Sequence, residues 1–198
     1  MQPLAERILE YAAASSEGTP IVARELLHFG TRAAIDQALS RLAQRGALLR
    51  AGRGIYVLPV ATRFGQRAPS AERMAEGLAR QRLETIVPHG AAAANALGLT
   101  TQVPVREVYL TSGRSRRLKL GARTVEFRHA PVWQLMFPGS VAGEVLRALA
   151  WLGPENVAGA IAKLRAKLNP AALSEIASAR ACMPTWMAQQ ISALMANG

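Results

Sequence analysis

The sequence has few of the residue types that catalytic and metal-binding sites use. Its one cysteine, Cys182, excludes an internal disulfide and fits a reducing compartment. None of its three histidines belongs to an HExxH pair or to a Cys/His metal spacing. A Walker-type phosphate loop, a GxGxxG turn, a Gly-x-Ser-x-Gly elbow and a close pair of carboxylates are also missing. The sequence therefore predicts neither an enzyme nor a protein with a metal ion or other cofactor.

Long apolar runs are absent as well, since none reaches the roughly 18 residues that a membrane helix requires. The N-terminus carries Glu6 and Glu10, where a signal peptide would be basic and then apolar. Hydrophobic residues make up 50% of the chain and charged residues only 19%, which excludes a disordered protein. We expect a soluble, cytoplasmic protein with no membrane contact.

Acidic residues and lysine are scarce beside arginine. There are 24 Lys+Arg against 13 Asp+Glu, a net charge of +11, and only three of the 24 cations are lysine. The net charge is +3 over residues 1–66, +6 over 67–130 and +2 over 131–198. The planar arginine guanidinium forms paired hydrogen bonds with phosphate oxygens and with the edge of guanine, so the excess of arginine suits nucleic-acid binding. A GC-rich genome would also favour arginine codons.

The first 66 residues show a recognisable order of elements. Apolar periodicity predicts helices over 3–14, 22–29 and 31–46, the last with Thr31 as N-cap. Two short apolar runs joined by a Gly-Arg-Gly turn then predict a hairpin. This order is typical of a winged helix-turn-helix. The inward stripe of the third helix contains Ile35, Ala38, Leu39 and Leu42.

The remainder, 67–198, is predicted as a second domain after a linker over 60–69. Residues 67–130 combine a helix at 70–84, opened by Ser70 as N-cap, with a strand at 105–113 and a hairpin over 114–131. Residues 131–198 are wholly helical in pattern, with Asn169 as an N-cap and Pro154, Pro170 and Pro184 in first turns. The predicted fold class is α+β, mainly α. Cys182 and the three tryptophans are predicted to be core residues.

The third helix and the hairpin carry the candidate DNA-binding residues. A 16-residue helix is about 24 Å long, enough to lie in a major groove. Arginine and glutamine suit guanine and adenine, and Asp36 can accept from a cytosine amine. Each residue taken singly also fits a solvated helix face. The candidates on the helix are Arg32, Asp36, Gln37, Ser40 and Arg41, and those on the hairpin, expected at phosphate or the minor groove, are Arg50 and Arg53.

The segment RSRRLKLGAR carries the highest local charge. Its candidate DNA contacts are Arg114, Arg116 and Arg117. Three interpretations stay open: a second phosphate-contacting patch, a surface for an acidic protein, or an ordinary exposed hairpin.

Three stretches together resemble a known family. Residues 32–59, 88–121 (PHGAAAANALGLTTQVPVREVYLTSGRSRRLKLG) and 148–157 (ALAWLGPENV) are similar to the AbiEi-like antitoxins of type IV toxin–antitoxin systems. The middle stretch is the most specific, because generic winged helices share only the first.

The resemblance implies a repressor whose N-terminal winged helix-turn-helix binds inverted repeats in double-stranded promoter DNA of its own operon. It implies a nucleotidyltransferase-like toxin as functional partner, without a stable complex. The implied DNA-reading residues are Arg32, Gln37, Ser40, Arg41 and Arg53. An alternative is a protein-interaction module whose C-terminal domain binds the toxin directly, with DNA binding secondary.

Overall fold

The computed structural model describes residues 2–165 and 168–196. It has about 49% helix and 18% strand, which confirms the predicted α+β class. The chain divides into two compact units, Met1–Glu84 with Arg116–Glu126 and Thr85–Ser115 with Phe127–Gly198. Within the described ranges, no helix has both the length and the apolar character needed to cross a bilayer.

The first unit begins with helices and continues into a hairpin. Its first elements are α1 (Leu4–Ala14), a 3₁₀ helix (Ala23–Leu26), α2 (Arg32–Gln44), β1 (Leu49–Gly52) and β2 (Ile55–Val57). β1 and β2 pair antiparallel. Ile21 and Tyr56 exchange backbone hydrogen bonds of 2.7 and 3.0 Å, so the segment before the 3₁₀ helix lies along the hairpin as a third extended piece.

The core of these elements follows the predicted helical periodicity. Ile8, Ile35 and Leu39 are fully buried, and Leu42 is 4% exposed. The Thr31 hydroxyl accepts from the amide N–H of Ala34 at 3.3 Å and caps α2. The inward stripe and the cap of the third predicted helix are thereby confirmed.

The second predicted helix, over 22–29, is wrong in type and length. Only Ala23–Leu26 is helical, in a 3₁₀ turn. Val22 is still extended, and the N–H of Phe29 bonds the carbonyl of Leu26, three residues back, at 2.8 Å. Bonds to the third residue back are the pattern of a 3₁₀ helix, whereas an α-helix has bonds to the fourth residue back.

The predicted linker over 60–69 is also wrong, because it contains a second hairpin. β3 (Val60–Thr62) pairs antiparallel with β4 (Gly65–Arg67). The Thr62 hydroxyl donates to the carbonyl of Gly65 at 2.7 Å and accepts from the N–H of Phe64 at 3.2 Å. Gly65 has φ +110°, so a glycine is needed to close this turn.

Helix α3 (Ala71–Arg82) packs within the first unit. Ser70 caps it by accepting from the N–H of Arg73 at 3.1 Å, as the sequence predicted. The Gln81 side-chain amide donates to the carbonyl of Pro20 at 2.7 Å. A Cβ on Gly18 would lie 2.4 Å from the backbone of Arg73, so only glycine permits this approach. The predicted boundary after residue 66 therefore differs from the observed division, which places α3 with the N-terminal elements.

A four-stranded sheet follows. Its strands β5 (Ile86–Pro88), β6 (Glu107–Thr111), β7 (Arg116–Leu120) and β8 (Arg123–His129) are hydrogen-bonded in the order β5-β6-β8-β7. The β7–β8 turn contains Gly121 at φ +63°. The predicted alternation is confirmed, since Leu118, Leu120, Val125 and Phe127 are all at most 2% exposed. β8 passes from the first unit to the second after Glu126.

The second unit is otherwise helical. After α4 (Gly90–Ala96) come α5 (Val132–Leu135), α6 (Val141–Leu152), α7 (Val157–Arg165), α8 (Pro170–Ser178), a 3₁₀ turn (Arg180–Cys182) and α9 (Thr185–Ala196). Asn169 accepts from the N–H of Ala172 at 2.8 Å, which confirms the predicted cap, and Ser140 caps α6 by accepting from the N–H of Gly143 at 3.3 Å. Pro154 precedes α7 by three residues rather than standing in its first turn.

Two of the predicted core residues are exposed. Trp133 and Trp186 pack partly buried against the helical core, as predicted. Trp151 is 37% exposed, because it lies two positions, about 200° around the helix, from the buried Leu149. Cys182 is exposed, because it stands in the 3₁₀ turn between α8 and α9 and not on an inner helix face.

Candidate nucleic-acid interface

The outward face of α2 displays the residues predicted to contact bases. Because Ile35, Leu39 and Leu42 hold the opposite face in the core, Gln37 and Arg41 are exposed. Ser40 is half-buried. The helix has 13 residues, a length of about 20 Å. The outward face of α2 is therefore polar and has no apolar residue larger than alanine.

Arg32 and Asp36 form an ion pair one turn apart on α2. The Arg32 Nε lies 2.8 Å from a carboxylate oxygen of Asp36, and both side chains are at least half exposed. Exposed pairs at this spacing contribute only about 0.3–0.5 kcal/mol. Either side chain can therefore leave the ion pair and contact a ligand group, with only this small loss of free energy.

Gln37 and Arg41 line a shallow depression between α1 and α2. Its volume is about 270 Å³, and Leu4 and Ala5 of α1 form part of its wall. Arg45 lies at the same depression, one turn beyond Arg41. The end of α2 therefore adds a cation to those predicted from the sequence.

The β1–β2 hairpin presents Arg50 and Arg53. Gly54 has φ +68°, which a tight turn after Arg53 requires of glycine. The register shifts between Arg50 and Gly52, as in a β-bulge. Both arginines are exposed. The hairpin turn therefore projects Arg53 as the sequence predicted.

A groove in the first unit brings separate arginines together. It has a volume of about 710 Å³ and is lined by the 3₁₀ helix, the start of α2, the hairpin turn and the end of α3. Its arginines are Arg24, Arg32, Arg53 and Arg82. Its carboxylates are Glu25, which accepts from the Tyr11 hydroxyl at 3.4 Å, and Glu84, which is paired elsewhere. The groove is therefore a concave, positively charged surface.

Sequence reasoning missed Arg24 and Arg82. Among the described residues, none forms an ion pair with Arg24, Arg53 or Arg82. Arg82 is 29 positions from Arg53, and no local pattern links them. Only the packing of α3 against the N-terminal elements brings Arg82 to the groove.

The three arginines of the RSRR segment have different surroundings. Arg116 forms two bonds to Glu84, at 2.5 and 3.2 Å, and its side chain is only 14% exposed. Arg117 contacts Glu126 at 3.2 Å but is 72% exposed. Arg114 is exposed and belongs to the second unit. DNA contact by all three stays a prediction, but the Arg116 guanidinium is already bound to a carboxylate.

The side chains that could ligate a metal ion are dispersed. Over residues 2–165 and 168–196, no group of three or more His, Cys, Asp or Glu side chains has a suitable arrangement.

The sequence matches a family over most of its length. The family of unknown function DUF6088 aligns with residues 7–173, which include every helix and strand from α2 to α7. The chain belongs to this family.

Other comparisons are sparser. No curated protein matches the chain significantly. The crystal structure of the RV2827C protein from Mycobacterium tuberculosis is similar at 19% sequence identity and a TM-score of 0.46, covering 99% of this chain and 78% of that one.

Proposed function

We propose that this DUF6088 member is a DNA-binding transcriptional repressor with an N-terminal winged helix-turn-helix. The proposal rests on one observation: Arg32, at the start of α2, and Arg53, at the hairpin turn, line the same groove. In this proposal α2 is the recognition helix, β1–β2 is the wing, and Ile21 supplies the third strand of the wing sheet.

Charge and exposure support this assignment. Recognition needs a helix whose outward face offers donors and acceptors, as Gln37, Ser40 and Arg41 do. It also needs cations that neutralise phosphates beside that helix. Arg24, Arg53 and Arg82 are suitable, since none of them is bound to a carboxylate within the described chain.

We further propose that the protein is the antitoxin of a type IV toxin–antitoxin operon and binds inverted repeats in its own promoter. This rests on the similarity of residues 32–59, 88–121 and 148–157 to AbiEi-like antitoxins. The neighbouring gene tests it. A nucleotidyltransferase-like reading frame overlapping this gene would support the operon role, and its absence would contradict it.

Arg53→Ala should lower the salt dependence of DNA binding. Loss of one phosphate contact reduces the slope of log Kd against log salt by about 1. The measurement is fluorescence anisotropy on the DNA upstream of the gene at several salt concentrations. Arg165→Ala also removes an exposed cation, from α7, and is the matched control. Equal slopes for the wild type and Arg53→Ala would exclude Arg53 from the interface.

Arg41→Ala should weaken binding to the preferred sequence by roughly 1–3 kcal/mol and relax base choice at one position. The same titration on DNA of scrambled sequence is the control. An equal loss on both DNAs would make Arg41 a phosphate contact, because only base contacts distinguish the two.

A further inference from the structure

A cavity of about 450 Å³ in the second unit lies outside the residues assigned to DNA. It is formed by the end of β5, the start of α4, the segment 104–107, β6 and Arg128 of β8. Its volume is within the range of small-molecule sites. Its walls are mostly apolar, from Pro88, Ala92, Pro104 and Val105. The size and lining suit a ligand with an apolar body.

One wall of the cavity is aromatic and fixed. Tyr109 lines it, and its ring stacks on Phe127 with centroids 5.7 Å apart and planes at 22°. At the rim, Val105 is 99% exposed. A flat aromatic ring can stack on Tyr109 with Val105 beside it.

His89 supplies a directed hydrogen-bond donor. Its Nδ1 accepts from the N–H of Ala91 at 3.2 Å, capping α4. Burial, and secondarily the charge of Arg128, lowers the pKa of His89, so the ring is neutral at pH 7. With Nδ1 accepting, the single ring proton is on Nε2. Among the described residues, none accepts from Nε2.

The charge around the cavity favours an anion of single charge. Arg106 and Arg128 are cationic and Glu107 is anionic, which leaves one net positive charge. His89 also lines a smaller cavity of about 90 Å³ with Arg147. Arg147 is 2% exposed, and its Nε has no hydrogen-bond partner among the described residues. The cationic surroundings of His89 thus extend beyond the first cavity.

We propose that this cavity binds a small aromatic monocarboxylate. The ring lies against Tyr109, Pro88 and Val105, and the carboxylate accepts from His89 Nε2 and the Arg106 guanidinium. A phosphate dianion fits less well, because the lining provides one net positive charge. The site gives this second unit a ligand of its own, and its existence does not depend on DNA binding.

The test is a titration of the full chain, by calorimetry and NMR, with 2-naphthoate and with 2-naphthalenemethanol. The two probes share the ring and differ in charge. A charge-assisted pair of hydrogen bonds should make the carboxylate bind about 10- to 100-fold more tightly. Arg106→Gln should reduce that preference to what the His89 bond alone gives, whereas Arg165→Gln, the control for loss of one exposed cation, should keep it in full. Val105→Asp should weaken both probes.

The substituted side chains Val105 and Arg106 are exposed, so these variants should keep the fold, which NMR spectra check directly. Equal affinity for the two probes would overturn the proposal. Absence of binding at millimolar concentration would also overturn it, as would a preference that Arg106→Gln leaves unchanged.

Discussion

Replacing Arg116 with alanine should lower the free energy of unfolding by about 3–5 kcal/mol. Arg116 and Glu84 form a bidentate pair, and their side chains are 14% and 13% exposed. Removing one partner of a buried pair leaves the other charge desolvated without compensation. Chemical denaturation measures the loss. Arg73→Ala breaks the exposed pair with Glu76 and should leave the transition nearly unchanged.

A second variant separates charge from packing. In Glu84→Gln/Arg116→Ala neither charge of this pair is left, so a large share of the lost stability should return. If the double variant is as unstable as Arg116→Ala, the loss comes from packing of the arginine stem.

The same variant tests the sequence-based role of Arg116 in DNA binding. At a temperature where Arg116→Ala is folded, we expect the salt slope of DNA binding to match the wild type. A slope lower by about 1 would restore Arg116 as a phosphate contact.

Gly18→Ala should destabilise the first unit by about 2–5 kcal/mol. Its φ of +77° disfavours a side chain by roughly 1–2 kcal/mol. In addition, its Cβ would lie 2.4–2.6 Å from backbone atoms of Arg73 and Met74, which cannot rotate away. Overpacking of this kind costs about 1–3 kcal/mol. Thermal and denaturant unfolding measure the sum.

Gly46→Ala is the matched control. Gly46 has nearly the same φ, +75°, but no atom lies within 4 Å of the position that a Cβ would take there. Gly46→Ala should lose only the free energy that a side chain costs at positive φ. The difference in free energy of unfolding between the two variants therefore measures the effect of the close approach of α3 to Gly18. Equal losses would mean that α3 can move away from Gly18 without cost.

Local signals predicted much of the secondary structure. The cap of α2, the caps at Ser70 and Asn169, and the alternating strands around Gly121 all depend on neighbouring residues. The failure at the second predicted helix involves a residue far away in the chain. Residues 22–29 have helical periodicity, yet Ile21 pairs with Tyr56, Val22 is still extended, and only Ala23–Leu26 forms a 3₁₀ turn.

The candidate interface was predicted only in part. Arg32 and Arg53 belong to elements that the sequence already indicated. Arg24 and Arg82 have no shared pattern with them, since the groove forms only when α3 packs on the N-terminal elements. The pairing of Arg116 with Glu84, 32 residues apart, could not be predicted from the sequence either.

By itself, the sequence determined the helical and strand periodicities, most helix starts, the inward stripe of α2 and the excess of arginine. These depend on residues within one or two turns of each other. Only the tertiary structure decided which arginines share a groove, which one is bound to Glu84, and where a cavity beside His89 forms. Those properties depend on distances and burial between residues far apart in the chain, and they arise when the core is packed.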